Sequence, residues 1–192
     1  MSATKKTDRR TVYTKNTIKD AFLALKQTRE YNAITVSELC RKAEINRGTF
    51  YLHYHGIAEV LDETLNDAFS QMRNLLEQLS GPDTTQGCGY PMCEFIRENE
   101  KYHGIFMDDS LTDHIVDKAA REYGEVFVQK MQATTDLTRA QLEAILRFQM
   151  TGCLAISRHN KNCDAEQWHA VRHTLDQLLH SGLKAHYRKR DE

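Results

Sequence analysis

Between Ile45 and Tyr54 the chain reads INRGTFYLHY, where an arginine, a threonine, a histidine and two tyrosines surround one phenylalanine. Guanidinium, hydroxyl and imidazole groups carried outward on one short helix are the groups that meet phosphates and base edges. A helix that enters the major groove, about 12 Å wide, must be short, polar outward and gripped from behind by apolar residues. Asn46 is a cap for such a helix. Phe50 and Ile45 are expected to anchor it on Phe22, Leu39 and Ala43, with Arg47, Thr49 and Tyr51 outward. Gly48 has no side chain to hold the backbone away from a duplex.

Positioning falls to the elements on either side. Ile18, Ala21, Phe22 and Leu25 follow i, i+3, i+4, i+7, which predicts an amphipathic helix over 14–28 with Thr14 as its cap. Thr35-Val36-Ser37-Glu38 is a capping box, and the helix it opens puts Val36, Leu39, Cys40 and Ala43 on one face. The three-residue turn Glu44-Ile45-Asn46 joins it to the next helix, which completes a helix-turn-helix arrangement. A long helix over 56–79 carries the stripe Ile57, Val60, Leu61, Leu65, Ala68 and Met72. Residues 80–91 hold both prolines and three of the nine glycines, and so predict a loop. Further helices are expected at 92–102, 103–110, 112–134, 138–160 and 164–186. Capping boxes fall at Thr138/Gln141 and Asp164/Gln167. Neither strand nor internal repeat is evident. The expected fold is all-α with about nine helices: a three-helix helix-turn-helix domain over 1–55, then a helical regulatory and dimerisation domain over 56–192, with 56–79 as connector.

The formal net charge of −1 hides a split. Residues 1–56 hold eleven Lys/Arg against five Asp/Glu, and the remainder 15 against 22. A basic head on an acidic body fits a nucleic-acid-binding domain. The polar, basic start has no apolar core of a secretory signal, and no apolar run reaches the ~18 residues of a membrane span. Five scattered cysteines read as reduced thiols, and the expected location is the cytoplasm. Cys88 and Cys93 with His103, the trio Cys153, His159 and Cys163, and the pair His169/His173 stay open as a metal or redox sensor. Their spacings lack the matching second pair of a structural zinc site. No phosphate-binding glycine loop, nucleophile elbow or HExxH is present, and a Ser110/His114/Asp117 set would be an arbitrary choice. Neither an enzyme nor a cofactor is expected.

Residues 34–54, ITVSELCRKAEINRGTFYLHY, resemble the DNA-binding segment of the TetR family of regulators, and TKNTIKDAFLALKQTREYNAIT before them is similar to its first helix. The resemblance covers about residues 9–62. It implies base readout by Arg47, a thymine methyl or phosphate contact from Thr49, and phosphate contacts from Tyr51 and His53. Thr35 and Ser37 would offer amides and hydroxyls to the DNA backbone, and Asn46, Gly48 and Tyr54 complete the implied interface. Lys5, Lys6, Arg9 and Arg10 would form a basic arm. This sequence departs from the family at Glu44, where glycine is usual and φ is often positive, and at Ile57, where a phosphate-binding lysine is common. His55 or the helix start at Gly56 would substitute for that lysine. The same resemblance implies a small-molecule effector held among Phe95, Phe106, Met107, Tyr123, Phe127, Phe148 and Met150. It also implies a homodimer joined through Leu142, Ile145, Leu146, Leu154, Trp168, Val171, Leu175, Leu178 and Leu179. The implied function is a ligand-responsive repressor on a palindromic double-stranded operator. A helix-turn-helix protein without an effector, and a metal or redox sensor using cysteines, are the alternatives.

Overall fold

A computed structural model describes residues 9–79 and 92–188. Among them the chain forms α1 (Arg9–Lys26), α2 (Val36–Lys42), α3 (Arg47–Tyr51), α4 (Ile57–Leu79) and α5 (Met92–Glu98). There follow α6 (His103–Phe106), α7 (Thr112–Gln132), α8 (Arg139–His159) and α9 (Ala165–Lys184). Single 3-10 turns at Tyr31–Ala33, Glu100–Tyr102 and Asp109–Leu111 make the corners, and no strand forms among the described residues. The fold is all-α, as the helical periodicities require.

Helix starts follow their caps. Thr35 and Glu38 form the reciprocal capping box, as do Thr138 and Gln141. At α9 the Asp164 carboxylate accepts the Gln167 amide at 2.8 Å. Three expectations are corrected. Thr14 is no cap: α1 begins at Arg9, and the Thr14 hydroxyl donates back to the Arg10 carbonyl at 2.9 Å from mid-helix. The helix expected over 92–102 stops at Glu98, because the Asn99 side chain turns back and donates to the Phe95 carbonyl at 2.8 Å. Likewise α6 is a single turn, after which Asp108 caps the next turn through the Ser110 amide.

One hydrophobic core runs without a break from Ile18, Phe22, Leu39 and Phe50 through Tyr54, Leu61 and Leu65 into Phe95, Phe106 and Met150. A smaller cluster of Val128, Leu137 and Leu142 sits under the α7–α8 corner. Beside it, Thr135 and Tyr187 form an isolated antiparallel bridge, and the Arg188 amide donates to the Thr134 carbonyl at 2.9 Å. These bonds tie the end of α9 to the α7–α8 corner.

Charge pairs join α1 to its neighbours. Lys15 meets Glu63 at 2.7 Å and Lys19 meets Asp67 at 2.5 Å, both acids lying on α4. At the other end of α1, Lys26 pairs with the buried carboxylate of Asp108. Burial raises the Asp108 carboxyl, but the Lys26 ammonium, the Ser110 hydroxyl and the Tyr31 amide outweigh it and hold the group at about 2. A carboxyl depressed in the folded state contributes stability that is complete above its unfolded pKa and lost as pH falls through the folded one. Asp108 therefore stabilises the chain fully above about pH 4 and progressively less toward about pH 2. Urea unfolding measured across this window should show a smaller acid loss in Asp108→Asn than in the wild type. Equal acid losses in the two proteins would show that Asp108 is not a source of the effect.

Candidate nucleic-acid interface

The α2–α3 unit is built around one ring. Phe50 is the buried residue of α3 and packs at 5.9 Å between ring centroids on Tyr54, in the same cluster as Leu39, Ala43 and Phe22. Asn46 accepts the Thr49 amide at 2.7 Å and so fixes where the helix starts. A Cβ on Gly48 would meet the Asn46 carboxamide oxygen at 3.2 Å, so glycine also leaves room for that cap. Between the helices Glu44 has φ 55, the left-handed turn expected for this position but one that costs a non-glycine residue about 1–2 kcal/mol. The Ile45 amide then closes back on the Cys40 carbonyl at 3.0 Å.

Opposite Phe50, the outer face of α3 carries Arg47, Gly48 and Tyr51, with Thr49 half-buried beside them. The Arg47 guanidinium lies 5.9 Å from the centre of the Tyr51 ring, with its nitrogen 3.5 Å from the phenol oxygen. The two side chains thus stand as a pair one helical turn apart. Leu52 follows at 82% exposure, and His53 is half-buried. Leu52 was not singled out from sequence; its signal is a leucine off the inward phase set by Phe50.

Other expected contacts lie elsewhere. Tyr54 is a core residue at 2% exposure, beneath the Lys15 ammonium at 5.1 Å, and burial pushes its phenol well above the ordinary range. It pins α3 to α1 and α4 and has no surface to offer a duplex. Thr35 directs its amide and its hydroxyl to one Glu38 oxygen, at 3.1 and 3.0 Å, so neither donor is left for a phosphate. Those bonds, the amide first, hold the Glu38 carboxyl below its usual value. Ser37 is exposed in the first turn of α2. His55 is exposed, but its amide and its Nδ1 both meet the Glu59 carboxylate at 2.8 Å. The α4 start that would replace the missing lysine therefore already holds an anion, and Ile57 is half-buried against the core.

The basic surplus of the head is partly internal. Lys15, Lys19 and Lys26 are paired with Glu63, Asp67 and Asp108, and Arg29 faces Glu38 at 3.4 Å. Arg9, Arg41, Lys42 and Arg47 are exposed. Lys5 and Lys6 lie outside the described residues.

In the body, Phe95, Phe106 and Met150 are buried, with the Phe95 and Phe106 rings 6.2 Å apart, while Met107, Tyr123 and Phe127 are half-buried. Tyr123 donates to the Phe69 carbonyl at 2.5 Å, and burial lifts its phenol to about 12. Phe148 does not join them: it stands outside α8 at 71% exposure, because the helix turns its neighbour Gln149 inward instead. Of the expected dimer residues, Leu142, Leu146, Leu154 and Trp168 are already buried within the chain. Ile145, Val171, Leu175 and Leu179 are half-buried, and Leu178 is 68% exposed. Cys40, Cys93 and Cys153 are buried and Cys163 is half-buried, and Cys88 lies outside the described residues. The His169 and His173 rings stack 6.2 Å apart. Among the described residues no group of three or more ligating side chains could hold a metal, and no helix is long and apolar enough to cross a membrane.

A five-residue helix held from behind by one phenylalanine, presented by a capped helix and a left-handed turn, defines a helix-turn-helix head on a helical body. Solved structures with the same fold include the dihydroxyacetone kinase operon activator DhaS, with a TM-score of 0.52 and 22% identity over 92% of this chain and 99% of that one. The TetR family repressor AlkX from Dietzia sp. strain DQ12-45-1b has a TM-score of 0.50 and 12% identity, covering 90% of this chain and 96% of its own. The likeness to TetR regulators carried by residues 34–54 is thus matched by the fold of the chain as a whole. A curated relative, an uncharacterized HTH-type transcriptional regulator YxbF of Bacillus subtilis (strain 168), is 32% identical over 122 residues, 62% of this chain. The match spans 30% of that relative's length. No family model matches the chain.

The left-handed turn supplies a direct check on the head. Glu44→Gly should stabilise the protein by about 1 kcal/mol, read as a raised urea midpoint, since glycine adopts positive φ without steric cost. A midpoint lowered by this change would contradict the assigned turn.

Proposed function

We propose that the protein is a sequence-specific DNA-binding transcription regulator that acts as a homodimer, most simply as a ligand-responsive repressor. The observation that carries this reading is the outer face of α3, where Arg47, Tyr51 and Leu52 are exposed while Phe50 is fully buried. A helix about 10–12 Å across with its side chains fits the major groove. Arg47, braced by Tyr51, meets guanine O6 and N7. Thr49 and Leu52 supply methyl groups for thymine, and Tyr51 and His53 reach phosphates. Exposed Arg41 and Lys42 add backbone attraction that weakens as salt rises.

One short helix reads too few bases to specify a site, so two copies are needed about 34–36 Å apart on one face of the duplex. The surface that supports pairing is uncharged. On α8 it carries Ala144, Phe148 and Ala155 at helical spacing, and on α9 Thr174, Leu178 and Ser181. Two such pairs of helices close into a four-helix bundle, with Phe148 and Leu178 buried between copies. For the effector, the buried side-chain oxygen of Gln149 has no hydrogen-bond partner, and a small apolar molecule bearing an N–H or O–H would supply one. Such a molecule releases the operator only to the extent that it prefers the non-binding arrangement of heads.

Selection of duplexes from a random pool should return a palindrome. Arg47→Ala should then bind about 1–3 kcal/mol more weakly and lose discrimination at one base position in each half-site. Retention of full affinity by this variant in fluorescence anisotropy would refute the groove assignment. Phe148→Glu should run as a monomer in light scattering and lose the palindrome. A dimeric Phe148→Glu protein would place the interface elsewhere.

A further inference from the structure

Lys26 and Asp108 are 82 residues apart, one at the end of α1 in the head and the other after α6 in the body, and both side chains are almost wholly buried. The Asp108 carboxylate accepts more than the lysine. Its Oδ2 also takes the Tyr31 amide at 3.0 Å, and its Oδ1 takes the Ser110 amide and hydroxyl at 3.0 and 2.6 Å. Lys26 in turn donates to the Arg29 carbonyl at 3.0 Å. One carboxylate therefore holds both the end of α1 and the chain that leads into α2.

The same segment is gripped from the far side by Arg158 on α8. Its guanidinium donates to the Phe106 carbonyl at 2.8 Å, the Asp108 carbonyl at 3.0 Å and the Thr112 hydroxyl at 2.7 Å, and meets the Asp109 carboxylate at 2.9 Å. There is no slack between head and body here. A Cβ on Gly104 would lie 2.4 Å from the Lys26 carbonyl oxygen, so α6 rests on the backbone of α1. Gln27 adds bonds to the Glu100 and Lys101 carbonyls at 3.1 and 3.3 Å.

Stability alone does not ask for charge at this position, since a buried ion pair loses much of its attraction to desolvation and apolar packing serves as well. What the charges add is a fixed direction between two bodies. We propose that Lys26, Asp108 and Arg158 form a coupling joint that transmits displacement of α8 and of the Phe106 segment to the DNA-reading helices, a role that rests on the DNA-binding reading above. The helix α4 alone would leave the head free to pivot about one attachment. With the joint, the head is attached at two places, and a shift of residues 104–108 against α4 turns α1 and carries α2 and α3 with it. Phe106 packs against Phe95 and Tyr102 and gives its carbonyl to Arg158, so whatever moves that aromatic group moves Asp108.

The test uses the full chain with Lys26→Met and Asp108→Asn combined, which removes both charges and keeps the shape. This variant should fold and assemble as the wild type does, by circular dichroism and light scattering, yet bind the selected duplex about ten-fold more weakly. A folded double variant with wild-type affinity overturns the proposal. Should it fail to fold, Arg158→Gln decides, because it leaves the buried pair in place. The joint predicts faster hydrogen exchange at the Tyr31 amide, in the head, together with weaker duplex binding. Unchanged exchange overturns the joint. If the wild type selects no duplex, the DNA-binding reading fails separately, and Tyr31 exchange in Arg158→Gln still judges the mechanical link.

Discussion

The burial of Phe50 is the constraint on which the molecule's outward chemistry depends. A helix of five residues has no stability of its own, since nucleation consumes more backbone freedom than one turn of hydrogen bonds returns. α3 exists because its single apolar ring enters the space between Phe22, Leu39 and Tyr54, and because Asn46 supplies the first hydrogen bond. Those two attachments fix both the rotation and the start of the helix. The direction in which Arg47, Tyr51 and Leu52 point is therefore set by what lies behind them, and nothing in their own chemistry is required to hold it.

The core that receives Phe50 is continuous with that of the body, so the head is a region of one packed molecule more than a separate bead. Tyr54 is the joint of that continuity: it touches Phe50 on one side and lies under Lys15 on the other. Lys15 and Lys19 then reach across to α4. The charge division between head and body has two physical origins. One is an exposed set, with Arg41, Lys42 and Arg47 facing outward. The other is an internal set, in which basic α1 is matched to acidic α4 and to Asp108.

What could be read from the residues alone follows from the range of the forces involved. Helical periodicity and caps are local, so the helix order and the boxes at Thr35 and Thr138 were legible. The positive φ at Glu44 was legible only through the resemblance to TetR regulators, in which glycine is usual at that place. Long-range burial was less so. Tyr54 looks like the rest of the aromatic run, yet it lies past the end of α3, where its amide closes back on the Phe50 carbonyl and its ring packs inward beside Phe50. On α8 the same phase ambiguity placed Phe148 among interior residues when Gln149 occupies that direction. A hydrophobic scale favours Phe over Gln for the interior, but rotation along a helix is set by the majority of its residues, here Leu142, Leu146, Met150 and Leu154. The leucines of α8 serve their own chain's core, and only the residues on the opposite side of the helix stay exposed. The partnership of Lys26 with Asp108 and Arg158 had no local signature at all.

The small bridge between Thr135 and Tyr187, with the Arg188 amide on Thr134, has an architectural effect out of proportion to its size. It fastens α9 at its far end, while the pairing of Arg172 with Glu94 on α5 fastens it nearer its middle. A helix held at both places cannot swing away from its own fold without breaking both clasps, so the outer faces of α8 and α9 keep a fixed relation to each other.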